Sequence, residues 1–277
     1  MKNTPLLFPF VALVLFFVWD DINRGRGIPS ELVGGLAGAL IMTVIVIVGR
    51  PYLQQRGKQR TKKFKQVAEE MGMKFSATAY SSHWTTGQKG DRALLESLSA
   101  FDLFSKKEVF LITNVLHGDS EQLGYGEEFE VRILDCWYKE GRQHRRVSSQ
   151  TMICFHSPQL SLPQFSLRPE GLHQKIGSAL GYQDIDFESH QTGAEFSKKY
   201  LLRGKDEQWM TEEKIRVLFT DKILTFFAAH PDKVFVGGSG DQLIFYREGN
   251  LIEPENTPAF IEEGLEVFRL FASSQPS

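Results

Sequence analysis

The stretch that most limits what this chain can become is Leu32–Gly49, 18 consecutive residues without a charged side chain. At about 1.5 Å per helical residue, such a run crosses most of a hydrocarbon core roughly 30 Å thick. Seven cations follow at once, Arg50, Arg56, Lys58, Arg60, Lys62, Lys63 and Lys65, with no acidic residue among them. Cations beside a span favour the cytoplasmic side. The pattern predicts that the polar chain after Lys65, about 210 residues, is held against the inner face of a membrane.

Leu6–Trp19 is a second apolar run, closed by Asp20 and Asp21. Its 14 residues are short for a span and also fit the apolar core of a signal peptide. No small-x-small cleavage pattern follows, so a retained helix over residues 4–19 is expected, with Trp19 at the interface. Spans at 4–19 and 32–49 would form a hairpin over residues 1–50, with both termini cytoplasmic, in the inner (plasma) membrane. Gly34 with Gly38, and Gly35 with Ala39, are small-xxx-small pairs that let backbones approach, within the hairpin or in a self-associated dimer. No ionisable residue lies inside either run, which argues against an ion path.

Arg50, Arg56, Lys58, Arg60, Lys62 and Lys63 supply the topology signal and are candidates for contact with anionic lipid head groups. Each cation near such a surface contributes about 1 kcal/mol. No aromatic platform is interleaved with them, so nucleic acid is not an expected partner.

Residues 51–100 read as a basic, helical connector. In Arg60–Met71 the residues Phe64, Val67, Ala68 and Met71 form one helical stripe, which Gly72 ends. Lys74–Ala77 suits a short strand, Ser81–Gly90 a loop, and Arg92–Ala100 a helix turning Leu94, Leu95 and Leu98 inward. From Phe101 the pattern becomes β, with strands over Val109–Leu116, Glu128–Tyr138 and Val147–His156, and a hairpin tip at Glu140–Arg146. In the middle strand Phe129, Val131, Ile133, Asp135 and Trp137 share a face. That puts Asp135 on the buried side, where it needs hydrogen bonds, a shifted pKa or a bulge.

Pro158, Pro163 and Pro169 punctuate Leu160, Leu162, Phe165 and Leu167, which suggests an edge strand or an extended segment. A short helix is expected within Gly171–Gly181, then strands Ile185–Glu188 and Tyr200–Arg203. Ile215, Leu218, Phe219, Ile223, Phe226 and Phe227 form a helical stripe broken at Thr220, whose side chain can cap the second half. Val234–Val236 and Gln242–Arg247 read as a hairpin around a glycine loop, Gly237–Asp241. Phe260, Ile261, Gly264, Leu265, Phe268 and Phe271 mark a last amphipathic helix. The expected fold class is α+β: a mixed, mainly antiparallel sheet with packed helices over residues 101–272, behind a two-helix transmembrane hairpin.

Several short segments carry a resemblance. They are Leu103–Phe104, Asn114–Val115–Leu116–His117–Gly118, Gln150–Thr151, Leu162–Pro163–Gln164–Phe165, Asp184–Ile185–Asp186–Phe187, and Phe196 through Tyr200 to Gly204–Lys205–Asp206–Glu207. Between Phe101 and Tyr246 the chain resembles a bacterial family of membrane-anchored proteins defined as a domain of unknown function. The resemblance implies one or two membrane helices ahead of a cytoplasmic α+β domain, and it implies no activity.

Chemistry is sparse. With two cysteines, Cys136 and Cys154, there is no disulfide framework, and no CxxC pair or closely spaced histidine pair suggests zinc. Asp135, His144, Cys154 and His156 lie on neighbouring strands and would suit a membrane-anchored hydrolase if they converged. Against this, Cys154 is out of phase with Ile153 and Phe155, and no oxyanion-type glycine loop precedes it. Asp184, Asp186 and Glu188 could hold a divalent cation, but a solvated strand face explains them as well. Gly237–Gly240 lacks the lysine and following helix of a phosphate loop. No cofactor is expected. The sequence thus favours a non-catalytic, membrane-tethered binding or scaffold protein, with the lipid bilayer and an unknown protein as partners. A regulatory subunit of a membrane complex, joined through Gly34 and Gly38, and the hydrolase are the alternatives.

Overall fold

A computed structural model describes residues 50–82, 91–101, 104, 108–140, 146–171, 182–187, 191–205 and 211–274. The predicted spans, with Trp19, Gly34 and Gly38, lie outside these residues. So do the predicted 171–181 helix (apart from Gly171), most of the 81–90 loop and the hairpin tip that includes His144. Among the described residues no helix is long and apolar enough to cross a membrane. The chain divides into two units, Met1–Gln59 and Arg60–Ser277.

Helix α1, Arg50–Glu70, contributes Phe64 and Ala68, both fully buried, to the core of the second unit. It stops at Gly72, whose φ of 69° is left-handed and costs least without a Cβ. Strand β1 (Lys74–Ser81) and helix α2 (Arg92–Ser99) follow. The Asp91 side chain caps α2 by accepting from Leu94 N at 3.0 Å. Strands β2 (Glu108–Asp119), β3 (Glu130–Glu140), β4 (Arg146–His156), β5 (Leu162–Pro169) and β6 (Tyr182–Ile185) come next. Then come α3 (Gln191–Lys199), β7 (Tyr200–Lys205), α4 (Thr211–Leu218) and α5 (Asp221–Ala229). The hairpin β8 (Phe235–Gly240) and β9 (Gln242–Tyr246) leads through a 3-10 turn to α6 (Thr257–Ala272).

The nine strands form one sheet in the order β1-β2-β3-β4-β9-β8-β5-β7-β6, every neighbouring pair antiparallel. Both faces bury apolar side chains. Val131 and Ile133 of β3 face a core shared with α1 and α3–α6, whereas Leu134, Cys136 and Tyr138 face a smaller one with α2. Rings concentrate in the larger core, where Phe165 meets Phe219 at 5.2 Å and Phe271 at 5.3 Å between centroids. All six apolar positions predicted for α6 are buried. Its Gly264 lies where a Cβ would come within 3.1 Å of Ile153 and Phe155, so α6 sits close on β4.

The α+β class and antiparallel sheet agree with the sequence reading, but four local features differ. The folded unit begins at Arg60 rather than near Phe101, because β1 pairs with β2 and α2 closes the smaller core. Strand β5 is interior, between β8 and β7, not an edge. Its ladder with β8 slips between Leu162 and Phe165, and Pro163 sits in that irregularity, where a missing N–H breaks no regular pair. The glycines from Gly237 belong to strand β8 rather than to a loop. The Phe165 ring lies over Gly238 and leaves no room for a side chain, and at Gly237 a Cβ would be tight against Phe101 and Ile244. Thr220 does separate α4 from α5, yet its side chain makes no capping bond.

Candidate functional site

Of the residues suggested for hydrolysis, Asp135 lies on the opposite face of the sheet from Cys154 and His156, and His144 lies outside the described residues. Asp135 pairs with Thr151 across the β3–β4 ladder and turns toward α1. Cys154 pairs with Arg132 and packs against the α2-side core. Desolvation pushes its thiol up to about 12, so it is a poor source of thiolate. His156, half exposed, has Nε2 3.0 Å from an oxygen of Asp241. Of the acidic trio, Asp184 accepts from Arg203 Nε at 2.6 Å, Asp186 is exposed, and Glu188 lies outside the described residues. Among the described residues no three His, Cys, Asp or Glu side chains are grouped to hold a metal ion.

Asp135 is the centre of a buried polar network. Its side chain is 1% exposed, and Arg60 reaches it from α1 with Nε at 2.9 Å and Nη2 at 3.0 Å. The Thr151 hydroxyl donates to Oδ1 at 2.6 Å, and Asn114 Nδ2 to Oδ2 at 2.8 Å. Arg60 also donates from Nη1 to the Ile252 carbonyl at 2.7 Å, and its guanidinium lies 4.8 Å from the Phe64 ring centre. A buried carboxylate is tolerable only when paired and hydrogen-bonded, and here each of its oxygens has two donors.

Arg60 was grouped with the lipid-facing cations, and the structure gives it this different partner. The signal lay in the helical spacing: Arg60 precedes Phe64 by four residues and Ala68 by eight, so it shares their buried stripe. Asn114 and Thr151, missed as site residues, lie on β2 and β4 on either side of Asp135. Of the other cations, Lys63 pairs with Glu255, and Lys65 lies 3.6 Å from Glu69. Arg56, Lys58 and Lys62 are exposed on α1, and Arg50 opens the helix.

On the opposite face α2 covers the sheet incompletely. A cleft of about 520 Å³ lies beside it, lined by Lys74, Ser76, Leu94, Val115, His117 and Arg132 among others. A second, of about 300 Å³, shares Asp91, Leu94 and Arg132 and continues toward Cys154, His156 and Gln242. Strand register sets the floor: Lys74, His117, Arg132 and Cys154 stand opposite one another on four successive strands. At about 4.8 Å between strands, Lys74 and Arg132 are about 10 Å apart across the row. Glu130 lies 3.4 Å from His117 and 3.9 Å from Arg132, and offsets part of their charge. Lys74 and Arg132 on the floor, beside an apolar strip of Leu94 and Val115 and with Asp91 on the α2 side, suit a ligand with an anionic group and an apolar portion. Among the described residues of the lining no nucleophile is paired with a base.

No protein-family model matches the chain, and no curated protein matches it. Among solved structures the chain is similar to the mycobacterial trehalose monomycolate transport factor A, TtfA, at 14% identity and a TM-score of 0.48, over 77% of this chain and 93% of that one.

Proposed function

We propose that this protein is a non-catalytic binding module tethered to a membrane, with the cleft beside α2 as its recognition surface. The observation that supports this most is the asymmetry of the sheet. Helices α1 and α3–α6 pack on one face, whereas the other keeps an open, cation-bearing cleft next to α2. The candidate catalytic side chains are divided between the two faces, and Cys154 has a raised thiol pKa. The uncharged Leu32–Gly49 run and the cations after it support the tether.

A photo-crosslinking side chain placed at exposed Ser76 in the full chain, in membranes, tests the reading. An adduct with a lipid or protein is expected there, lost when Arg132→Glu reverses the floor charge, and not formed from exposed Lys214 on α4. Equal adducts from both positions, or an adduct indifferent to Arg132→Glu, would refute the cleft. A reporter at the C-terminus that signals from outside the cell would refute the orientation of the tether.

A further inference from the structure

Strand β2 carries one residue more than β3 between two paired positions. Thr113 stands opposite Asp135 and Leu116 opposite Ile133, so Asn114 and Val115 together oppose Leu134. Asn114 and Val115 leave the strand on opposite faces of the sheet. Asn114, 4% exposed, joins the Asp135 carboxylate on the α1 side. Val115, 7% exposed, belongs to the α2-side core and lines the cleft. A single peptide unit therefore connects the wall of the cleft to the network that holds Arg60.

The bulge is also the least satisfied part of that network. Asn114 holds a φ of 52°, a left-handed conformation that asparagine tolerates and most side chains avoid. Its Oδ1 is buried and finds no hydrogen-bond partner among the described residues, while its Nδ2 donates to Asp135. A sparsely populated backbone state at a shift of register is easier to displace than the regular ladder on either side of it.

We propose that occupancy of the cleft and the seating of α1 are coupled through this bulge. A group pressed against Val115 shifts Asn114, weakens its bond to Asp135, and loosens the grip of that carboxylate on Arg60. Linkage makes the effect reciprocal: displacing α1 changes the affinity of the cleft by the same factor. The proposal rests on the reading of the cleft as the recognition surface.

Hydrogen exchange of the full chain in detergent micelles tests it, with substituted side chains in place of a ligand. Ser76→Trp fills the cleft beside Val115, and Val115→Phe enlarges the bulge residue itself. Asn114→Gly keeps the left-handed backbone and removes the bond to Asp135. Each is expected to speed exchange of the α1 amides from Phe64 to Met71 by threefold or more. In the Asn114→Gly background the two cleft substitutions are expected to add nothing further. The coupling is overturned if Asn114→Gly leaves α1 exchange unchanged, or if neither cleft substitution moves it. It is equally overturned if their effects persist undiminished without the asparagine side chain. No natural ligand enters this experiment, so a cleft that binds nothing would be exposed by cross-linking while the coupling is still measured here.

Discussion

Removing Arg60 tests the account of the buried network directly. Asp135 is 1% exposed, so Arg60→Met strands a carboxylate that has lost two of its four donors. Breaking a buried pair from one side costs about 3–5 kcal/mol. The Arg60 side chain keeps 18% exposure, and some water already reaches the pair, so the lower end, about 3 kcal/mol, is expected. Asp135→Asn should cost a similar amount, because it leaves the guanidinium facing a neutral amide. The double variant removes both charges, and methionine fills much of the space left by the guanidinium stem. Its cost should fall below the sum of the two by about 2 kcal/mol. Urea unfolding of the full chain in mild detergent, followed by tryptophan fluorescence, gives the three values. A single Arg60→Met cost under about 1 kcal/mol, or strict additivity in the double variant, would refute the argument, since exposed pairs contribute no more than that.

Three further outcomes are expected. Gly238→Ala would place a Cβ 2.9 Å from Phe165 Cδ1, against a ring already packed on Phe219 and Phe271. It should cost about 1–3 kcal/mol in the same unfolding assay, and Phe165→Leu should recover part of that loss. Gly193→Ala should be worse, because the added carbon meets the backbone of Phe187, which cannot rotate away, whereas Gly57→Ala in α1 meets nothing within 4 Å and should raise helix stability by up to about 1 kcal/mol; similar melting shifts for the two would refute the distinction. Cys154, with its thiol near 12, should hold about one part in ten thousand as thiolate at pH 8, so mass spectrometry should find it unalkylated by iodoacetamide long after unfolded chain is fully labelled.

Much of the sheet was legible because its strands alternate. Phe129, Val131 and Ile133 announce a buried face, and the phase that carries them carries Asp135 inward as well. Helix α6 was legible for the same reason at a different period. Strand β1 was harder: Lys74–Ser81 buries little, and an edge strand is held by its backbone ladder, which leaves no apolar pattern. The glycines of β8 read as a loop because the rings that crowd them, Phe101 and Phe165, lie far away in sequence. Insertion of the β8–β9 hairpin between β4 and β5 is likewise non-local, and no turn signal encodes it. The cleft was invisible for a related reason, since Lys74, His117 and Arg132 become neighbours only through register.

The ion pair sets the register of α1 more than it adds stability. An apolar pair of equal volume would be about as stable, because desolvating two charges consumes most of their attraction. A guanidinium beneath Asp135 is instead a requirement that few positions on the helix satisfy. A slip of one turn would bring Arg56 into the place of Arg60, which the charge would accept. The same slip would drive Phe64 into the fully buried space of Ala68, which the core would not. Charge and volume therefore select one position together, and neither selects it alone. Ala68 and Arg60 are two turns apart, so the part of α1 from Arg60 onward is held against the sheet at two points.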